Sequence, residues 1–596
     1  MSIPQARPAL IEQRPLLPIT LAITLAWAAV CALLVVTSPH LGAGRFPDVD
    51  DALRMVEVRD LLAGQGWYDL HQHRMTPPQG TLMHWSRLVD APLAAAIWLL
   101  ARVMPQASAE AVVAAAMPLL VLLGAMLAAG RLAYDKFGVQ VAVLAVLAFA
   151  LVPMLPAQFQ PLRIDHHAWQ VLSVAVATWA VFRPDPVRGG LIAGLAMAAG
   201  LMISLETLVM AAGFALLLTW RWLADPRCGQ GLARYLQALA LGLAGLFAAT
   251  RGVADLAPHC DAIAPAHLGF FAVVAAGASL LAARARLHPL AVLAGLGMSG
   301  LAGLALIGWA APQCLASPFA GLDPLVRDHW YRHVAEGLPL WQQPLAEALP
   351  AAMQCLFAFA IALYAGLRGA ASQRGWWREY ALLLAVGMAA GLVTYRSIAF
   401  AGLLATIPLG WFAAAMIGRW QTSPRLMPKL AAAAALYAAL LPAALTGLLL
   451  PREALSGDAP AASLAFSACE LHRNAAKLDA LPTGTLFAPL DMGGHLLLDT
   501  RHSVVASSHH RAADGMRAVI AGFIAPPDQA RAEVLASGAD YLALCTDSGE
   551  IAVYRAAGGE SSLAAMLARG DAPAWLEPVT LGTPPALRVW RVADPD

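Results

Sequence analysis

The chain has 596 residues, of which 59% are hydrophobic and only 13% charged. That balance places it with polytopic membrane proteins and not with large soluble enzymes. Its 39 basic and 38 acidic residues leave a net charge of +1, so no nucleic-acid partner is expected, since such a partner calls for a basic excess.

A hydrocarbon core of roughly 30 Å takes about 20 helical residues to cross. Apolar runs suited to this fall near 17–36, 109–129, 139–155, 167–182, 189–204, 207–223, 232–250, 267–283, 289–310, 346–367, 379–395, 397–417 and 428–450. They predict about thirteen spans. The first run continues through Thr37 without a cleavage site and reads as an uncleaved helix. Asp90 to Met104 is apolar but short, and reads as an interfacial or re-entrant helix.

Lys and Arg accumulate on the cytoplasmic side of membrane proteins. Arg7 and Arg14 therefore place the N-terminus inside, with Arg131 to Lys136, Arg183 to Arg188, Arg221 to Arg234, Arg284 to Arg286, Arg368 to Arg378 and Arg419 to Lys429. Loops 37–108, 156–166, 251–266 and 311–345 then face outward, as does everything after Pro451. The expected division is a membrane domain over 1–451 and a small α/β domain over 452–596, long enough to carry its own core. Strand-like runs at 485–489 and 541–545 flank a helical stretch around 526–537. Cys260, Cys314, Cys469 and Cys545 fall on the oxidising side, where Cys260 can pair with Cys314 and Cys469 with Cys545, although spacing alone does not fix connectivity.

Three polar segments interrupt the apolar pattern on the outward side: Pro47-Asp48-Val49-Asp50-Asp51, Arg163-Ile164-Asp165-His166-His167 and Val334-Ala335-Glu336. Carboxylates are costly inside lipid and cheap at its edge, so a gathering of them at one face of a bundle suits a cation or a reacting group. Asp165 and His167 offer two ligands at i,i+2 to one divalent cation, Mg²⁺ or Mn²⁺, with Mn²⁺ tolerating the nitrogen better. Each segment also has a plainer use. Asp48 and Asp51 suit an N-cap and first turn, Glu336 lies among aromatics that anchor an interface, and Arg396 in Tyr395-Arg396-Ser397 either clamps a phosphate or snorkels. Glu206 falls at an outward turn between two spans.

The arrangement resembles the catalytic subunit of oligosaccharyltransferases, a family of GT-C class glycosyltransferases. Val334, Glu336, Pro339 and Trp341 match the spacing of that family's fifth-loop segment. Asp50 followed by Arg59-Asp60 resembles its first-loop motif, and Asp165-His166-His167 resembles its second, with His in place of the usual Glu. In the tail, Leu490-Asp491-Met492-Gly493-Gly494, then Arg501 and Ser507-Ser508-His509-His510, resembles a degraded WWDYG segment without its tryptophan pair. Trp376-Trp377-Arg378-Glu379-Tyr380 mimics that motif in letters but lies on the cytoplasmic side and reads as an aromatic belt.

The resemblance implies a GT-C-like helical fold with an outer α/β domain in a bacterial inner membrane, and a polyprenyl-phosphate or diphosphate-linked sugar donor. It implies a divalent cation held by Asp50, Asp165, His167 and Glu336, with Asp50 and Glu336 catalytic and Arg396 on the donor phosphate. Asp51, His166, Asp491, His509 and His510 are candidate acceptor or accessory residues. Loss of the tryptophan pair puts the usual asparagine acceptor in doubt, leaving a protein, a lipid or an envelope glycan. Two other readings of the same pattern are a transporter or flippase of a lipid-linked substrate and a scaffold without activity.

Overall fold

The computed structural model describes residues 18–284, 287–317, 319–449 and 467–593. Arg7, Arg14, Arg286 and the expected domain boundary at 451/452 lie outside the described residues.

Each of the thirteen apolar runs contains a helix. Among the described residues nine helices are long and apolar enough to cross a membrane, and a tenth is added if Leu426–Leu440 and Pro442–Leu448, bent by 98°, form one span. The remaining three runs are shorter or more polar. The run at 139–155 stops at Ala150 because the chain turns at Met154, whose φ is 70°. His167–Val181 has 15 residues, fewer than a simple crossing needs, and Ala371–Val393 opens with a charged turn. The chain is thus a multi-pass membrane protein by the length and composition of its helices. Arg87–Leu100, within the ambiguous apolar stretch, is a 14-residue helix capped by Ser86.

Apolar tails solvate a helix as well as a neighbouring Leu does, so helices in lipid associate through small residues that let backbones touch. Pro186–Ile203 packs on Gly229–Thr250 in this way: a Cβ at Gly190 would lie 2.3 Å from the Gly231 carbonyl oxygen, and one at Gly194 2.3 Å from that of Tyr235. Trp377 is 1% exposed and stacks on Phe137, with Trp376 against Phe182 and Tyr380. Trp377 thus faces protein instead of lipid, which corrects the aromatic-belt expectation for this residue: three helix ends converge there and exclude lipid.

The tail forms a five-stranded sheet in the order 503–504, 485–487, 541–545, 587–592, 576–578. The first three strands are parallel, and the last two join antiparallel. The expected strands and the Pro527–Ala536 helix are present, and the strands at 503–504, 576–578 and 587–592 are additions. Both expected cysteine pairs are disulfides, Cys260–Cys314 and Cys469–Cys545.

The sheet unit is bound to the first outer loop. Thr76 donates its N–H to the Val504 carbonyl at 3.0 Å, Val504 returns one to Arg74 at 2.8 Å, and the Arg74 guanidinium donates to the carbonyls of Leu497, Thr500 and His502. The loop therefore covers the sheet's open edge, a site that would otherwise template further pairing. Helix Leu490–Asp499 packs on helix Val49–Leu62 through Gly494, where a Cβ would sit 2.7 Å from Val49 Cγ2.

Gly493 meets the Ala506 carbonyl oxygen, where a Cβ would lie at 2.5 Å, and backbone cannot yield there. Gly493→Ala is expected to lower the melting temperature, losing about 1–3 kcal/mol to overpacking despite the better helix former. Gly418→Ala, with open space around the site, is expected to leave it unchanged or slightly raised in the same thermal scan.

Candidate active site

Helix Val49–Leu62 begins where Asp48 caps it, accepting from the Asp50 N–H at 3.3 Å. Its inner face is fixed by charge pairs buried beside it: Arg54 to Asp90 at 2.6 Å, Arg87 to Asp90 at 3.2 Å and to Glu57 at 3.6 Å. Arg54 also lies 4.2 Å over the Trp85 ring. Such pairs cost desolvation and return specificity of geometry, here the exit direction of Asp48 to Asp51.

Arg163 stands at the centre of the site. Its guanidinium reaches Asp48 at 3.2 Å, Asp165 at 3.0 Å, Glu336 at 3.5 Å and Asp51 at 3.7 Å. All three acidic segments therefore meet at one end of the bundle. Asp51 is fully buried and accepts the Asp165 N–H at 2.9 Å, tying the first loop to the second. Asp165 accepts from both the N–H and Nδ1 of His167, at 3.0 and 2.8 Å, which leaves His167 Nε2 buried without a partner. His166 stacks on His167 with ring centroids 4.2 Å apart.

Arg396 sits in the short turn Tyr395–Ser397 and pairs with Glu206 and, at 3.2 Å, with Glu336. The Tyr395 N–H donates to the Leu338 carbonyl at 2.9 Å, which holds the Glu336 segment against this turn. Trp341, by contrast, is 68% exposed.

Burial and the neighbouring carboxylates of Asp48, Asp165 and Glu336 push the Asp50 carboxyl up to about 8. Burial raises Asp51 well above the usual range as well, with Arg163 offsetting part of it. Burial acts in the same sense on Asp165 and Glu336, but there the cations win: Arg163 and His167 hold Asp165 well below the usual range, and His167, Arg163 and Arg396 hold Glu336 down. The cluster thus contains an acid poised near neutrality beside fixed anions.

Asp165 and Glu336 both reach Arg163, His167 bonds to Asp165, and Asp50 lies within electrostatic range of Asp165, Glu336 and Arg163, yet the four are not closed to the mutual spacing of ligands on one ion. Among the described residues that tighter spacing occurs at His84, His509 and His510. His509 and His510 therefore engage a different partner set. Burial holds the His84 and His509 imidazoles well below their ordinary value. Asp491 accepts from Ser508 at 2.7 Å, and its own N–H donates to Glu550 at 2.9 Å. Residue types alone gave no role to Arg163, and Glu206 was visible only as an acid at a turn; the clue for both was an ionisable group beside an outer segment already rich in charge.

No protein-family model matches the chain, and no curated protein does. Solved structures of an archaeal oligosaccharyltransferase are similar to it. AglB from Archaeoglobus fulgidus, in complex with an inhibitory peptide and a dolichol-phosphate, aligns with a TM-score of 0.66 at 13% identity, over 93% of this chain and 72% of that one. The apo form of the Archaeoglobus fulgidus enzyme gives 0.66 at 14% identity, over 94% and 73%. The complex of that enzyme with zinc and sulfate gives 0.62 at 12%, over 97% and 73%. The fold is therefore that of the archaeal oligosaccharyltransferase structures, a helical membrane bundle with a C-terminal sheet unit.

In the unfolded chain the Asp50 carboxyl titrates near its ordinary value of 3.8, so the native state, with about 8, binds that proton more tightly. The stabilisation is complete below pH 4 and is lost as pH rises through 8. In chelator, Asp50→Asn is expected to raise stability at pH 8.5 by about 1 kcal/mol or more, the equivalent of a one-unit shift, and to change nothing at pH 4, as read by thermal unfolding in detergent.

Proposed function

We propose that the chain is a glycosyltransferase that takes a sugar from a polyprenyl-phosphate or diphosphate carrier at the outer face of a bacterial inner membrane. In this reading the N-terminus is cytoplasmic, and the site and the unit within 452–596 are periplasmic. The observation that carries it is the convergence of acidic side chains from three outer loops on Arg163 and Arg396, in a GT-C fold. The two disulfides support an oxidising compartment.

The donor types present suit a divalent cation, which would draw Asp50, Asp165, His167 and Glu336 closer together than they stand without it. Asp48, Asp50, Asp51, Asp165, Glu206 and Glu336 outnumber the guanidiniums of Arg163 and Arg396. Asp51 Oδ2 and His167 Nε2 are buried without hydrogen-bond partners. Asp50, Asp165, His167 and Glu336 would hold Mn²⁺ or Mg²⁺, hard cations that accept carboxylate oxygen, with Mn²⁺ better matched to the imidazole. Bound there, such an ion supplies Lewis-acid stabilisation to the phosphate oxygen that gains charge.

Arg396 binds the donor phosphate. Its Nε has no hydrogen-bond partner, so a donor remains for an anion. Asp50 or Glu336, as the ionised carboxylate, accepts the proton of the attacking acceptor group or orients that group. The new bond forms to the anomeric carbon as the bond to the carrier phosphate breaks, the phosphate leaves with the electron pair, and the sugar inverts. The archaeal enzyme was solved with a dolichol-phosphate and an inhibitory peptide, which supports a lipid-carried donor here. Without the tryptophan pair at 490–494, the acceptor is a protein site outside the usual sequon, a lipid or an envelope glycan.

Purified protein in detergent, given polyprenyl-linked sugars with and without Mn²⁺, is expected to consume donor only with the ion. Asp50→Ala, Asp165→Ala and Glu336→Ala are each expected to reduce turnover by about 100-fold or more, the scale of losing one transition-state stabilising group. Indistinguishable turnover in wild type and all three variants, or product with retained anomeric configuration, would remove this assignment.

A further inference from the structure

Three imidazoles from two distant parts of the chain meet beside the seam between the first outer loop and the sheet unit. His84 follows the short strand Thr81–Leu82, and His509 and His510 precede helix Ala513–Ile524. One ring nitrogen or more from each can be chosen so that all lie within 4.8 Å of one another. The ring centroids are 4.9, 4.8 and 5.1 Å apart.

The finer geometry suits a shared ion. His84 Nδ1 and His509 Nε2 are 2.9 Å apart. Two nitrogens each 2.0–2.1 Å from a tetrahedral zinc would lie roughly 3.3 Å apart, so a few tenths of an ångström separates the pair from ligand spacing. His510 Nε2 is 2.6 Å from Asp261 Oδ2, which leaves Nδ1 as its other ligand atom. A carboxylate behind an imidazole is the usual way a metal-binding His is fixed in tautomer and orientation. Asp261 is itself gripped by Arg511 at 2.7 and 2.9 Å, so its charge is already balanced and its place secured. His509 is 2% exposed, and its Nδ1 has no hydrogen-bond partner. A cleft of about 420 Å³, lined in part by Leu82, Asp261, His510 and Arg511, borders the trio at His510.

We propose that His84, His509 and His510 form a zinc(II) site, separate from the carboxylate cluster, that fastens the first outer loop to the C-terminal sheet unit. An all-imidazole set favours zinc over Mg²⁺ or Ca²⁺, which take oxygen. Asp261, next to the Cys260–Cys314 disulfide, brings the third outer loop into the same fastening. The site uses none of the residues proposed to hold the cation, bind the donor phosphate or move the proton, although His509 and His510 are accessory candidates by sequence.

The test uses the full chain in detergent, stripped with a chelator and titrated with Zn²⁺, or with Co²⁺ as a visible-absorption probe. Wild type is expected to show tetrahedral Co²⁺ bands and a zinc-dependent rise in melting temperature, as binding to the native state alone requires. His84→Asn and His509→Gln keep a hydrogen-bonding amide, and each is expected to lose the bands, the rise and one equivalent of zinc. The double variant Asp165→Asn/His167→Gln is expected to keep all three, which distinguishes this site from the carboxylate cluster. Undiminished bands and zinc content in both His84→Asn and His509→Gln would overturn the proposal and leave the trio a hydrogen-bonded stack. Loss of the bands only in Asp165→Asn/His167→Gln would overturn it as well, while leaving the sugar-transfer reading intact.

Discussion

One guanidinium holds the outer end of this molecule together. Arg163 touches four carboxyl groups contributed by three loops at 3.0 to 3.7 Å, and although burial favours the neutral form of Asp51, the anions of Asp165 and Glu336 alone exceed its single charge. The cluster is therefore a tether and an unbalanced field together. The planar fork suits this role, since its three nitrogens are spread apart and each lies near a different carboxyl group, Nη1 by Asp48, Nε by Asp165 and Nη2 by Glu336, whereas a Lys ammonium concentrates its three N–H groups on one atom. Arg396 repeats the device one turn away, joining Glu336 to Glu206. What remains unpaired, on the acidic side, is the site's capacity for a cation and for a proton on Asp50.

That arrangement depends on the first outer loop, which is held from two directions. From beneath, Arg54, Arg87, Asp90 and Glu57 lock helix Val49–Leu62 in place. From above, helix Leu490–Asp499 presses on it through glycines, and Arg59 donates to the Leu498 carbonyl at 2.6 Å. Asp491 lies close enough to Asp48 that, after burial, the Asp48 charge helps raise its carboxyl. The sheet unit is thus a roof to the carboxylate cluster, and anything that loosens the seam also changes where Asp48 and Asp50 point.

Much of this was legible from residue order because it depends on local chemistry. Hydropathy located a helix in each of the thirteen apolar runs, and the i,i+2 spacing of Asp165 and His167, read as two ligands for one ion, is in the structure a hydrogen-bonded pair at 2.8 Å. What was not legible is long-range. Arg163 and Glu336 are 173 positions apart, His510 and Asp261 are 249, and no periodicity links them. The missed strands at 503–504 and 576–578 have two and three residues, too short for alternation to register. Span lengths failed where a turn intervened, at Met154, because an apolar run does not report a change of direction.

The dipeptide His-His occurs at 166–167 and again at 509–510, and its surroundings give the two copies opposite chemistry. At 166–167 the neighbours are Asp165, Glu336 and two guanidiniums, so the imidazoles sit among hard oxygen donors and fixed charge. At 509–510 the neighbours are His84, Trp85 and an Asp261 already satisfied by Arg511, so nitrogen is the donor on offer. Donor type sorts ions more sharply than overall affinity does. Under the two proposals, the chain would carry one site dominated by carboxylate oxygen and a second, at the seam, dominated by imidazole nitrogen. The division follows from which loops fold together, and not from the histidines themselves.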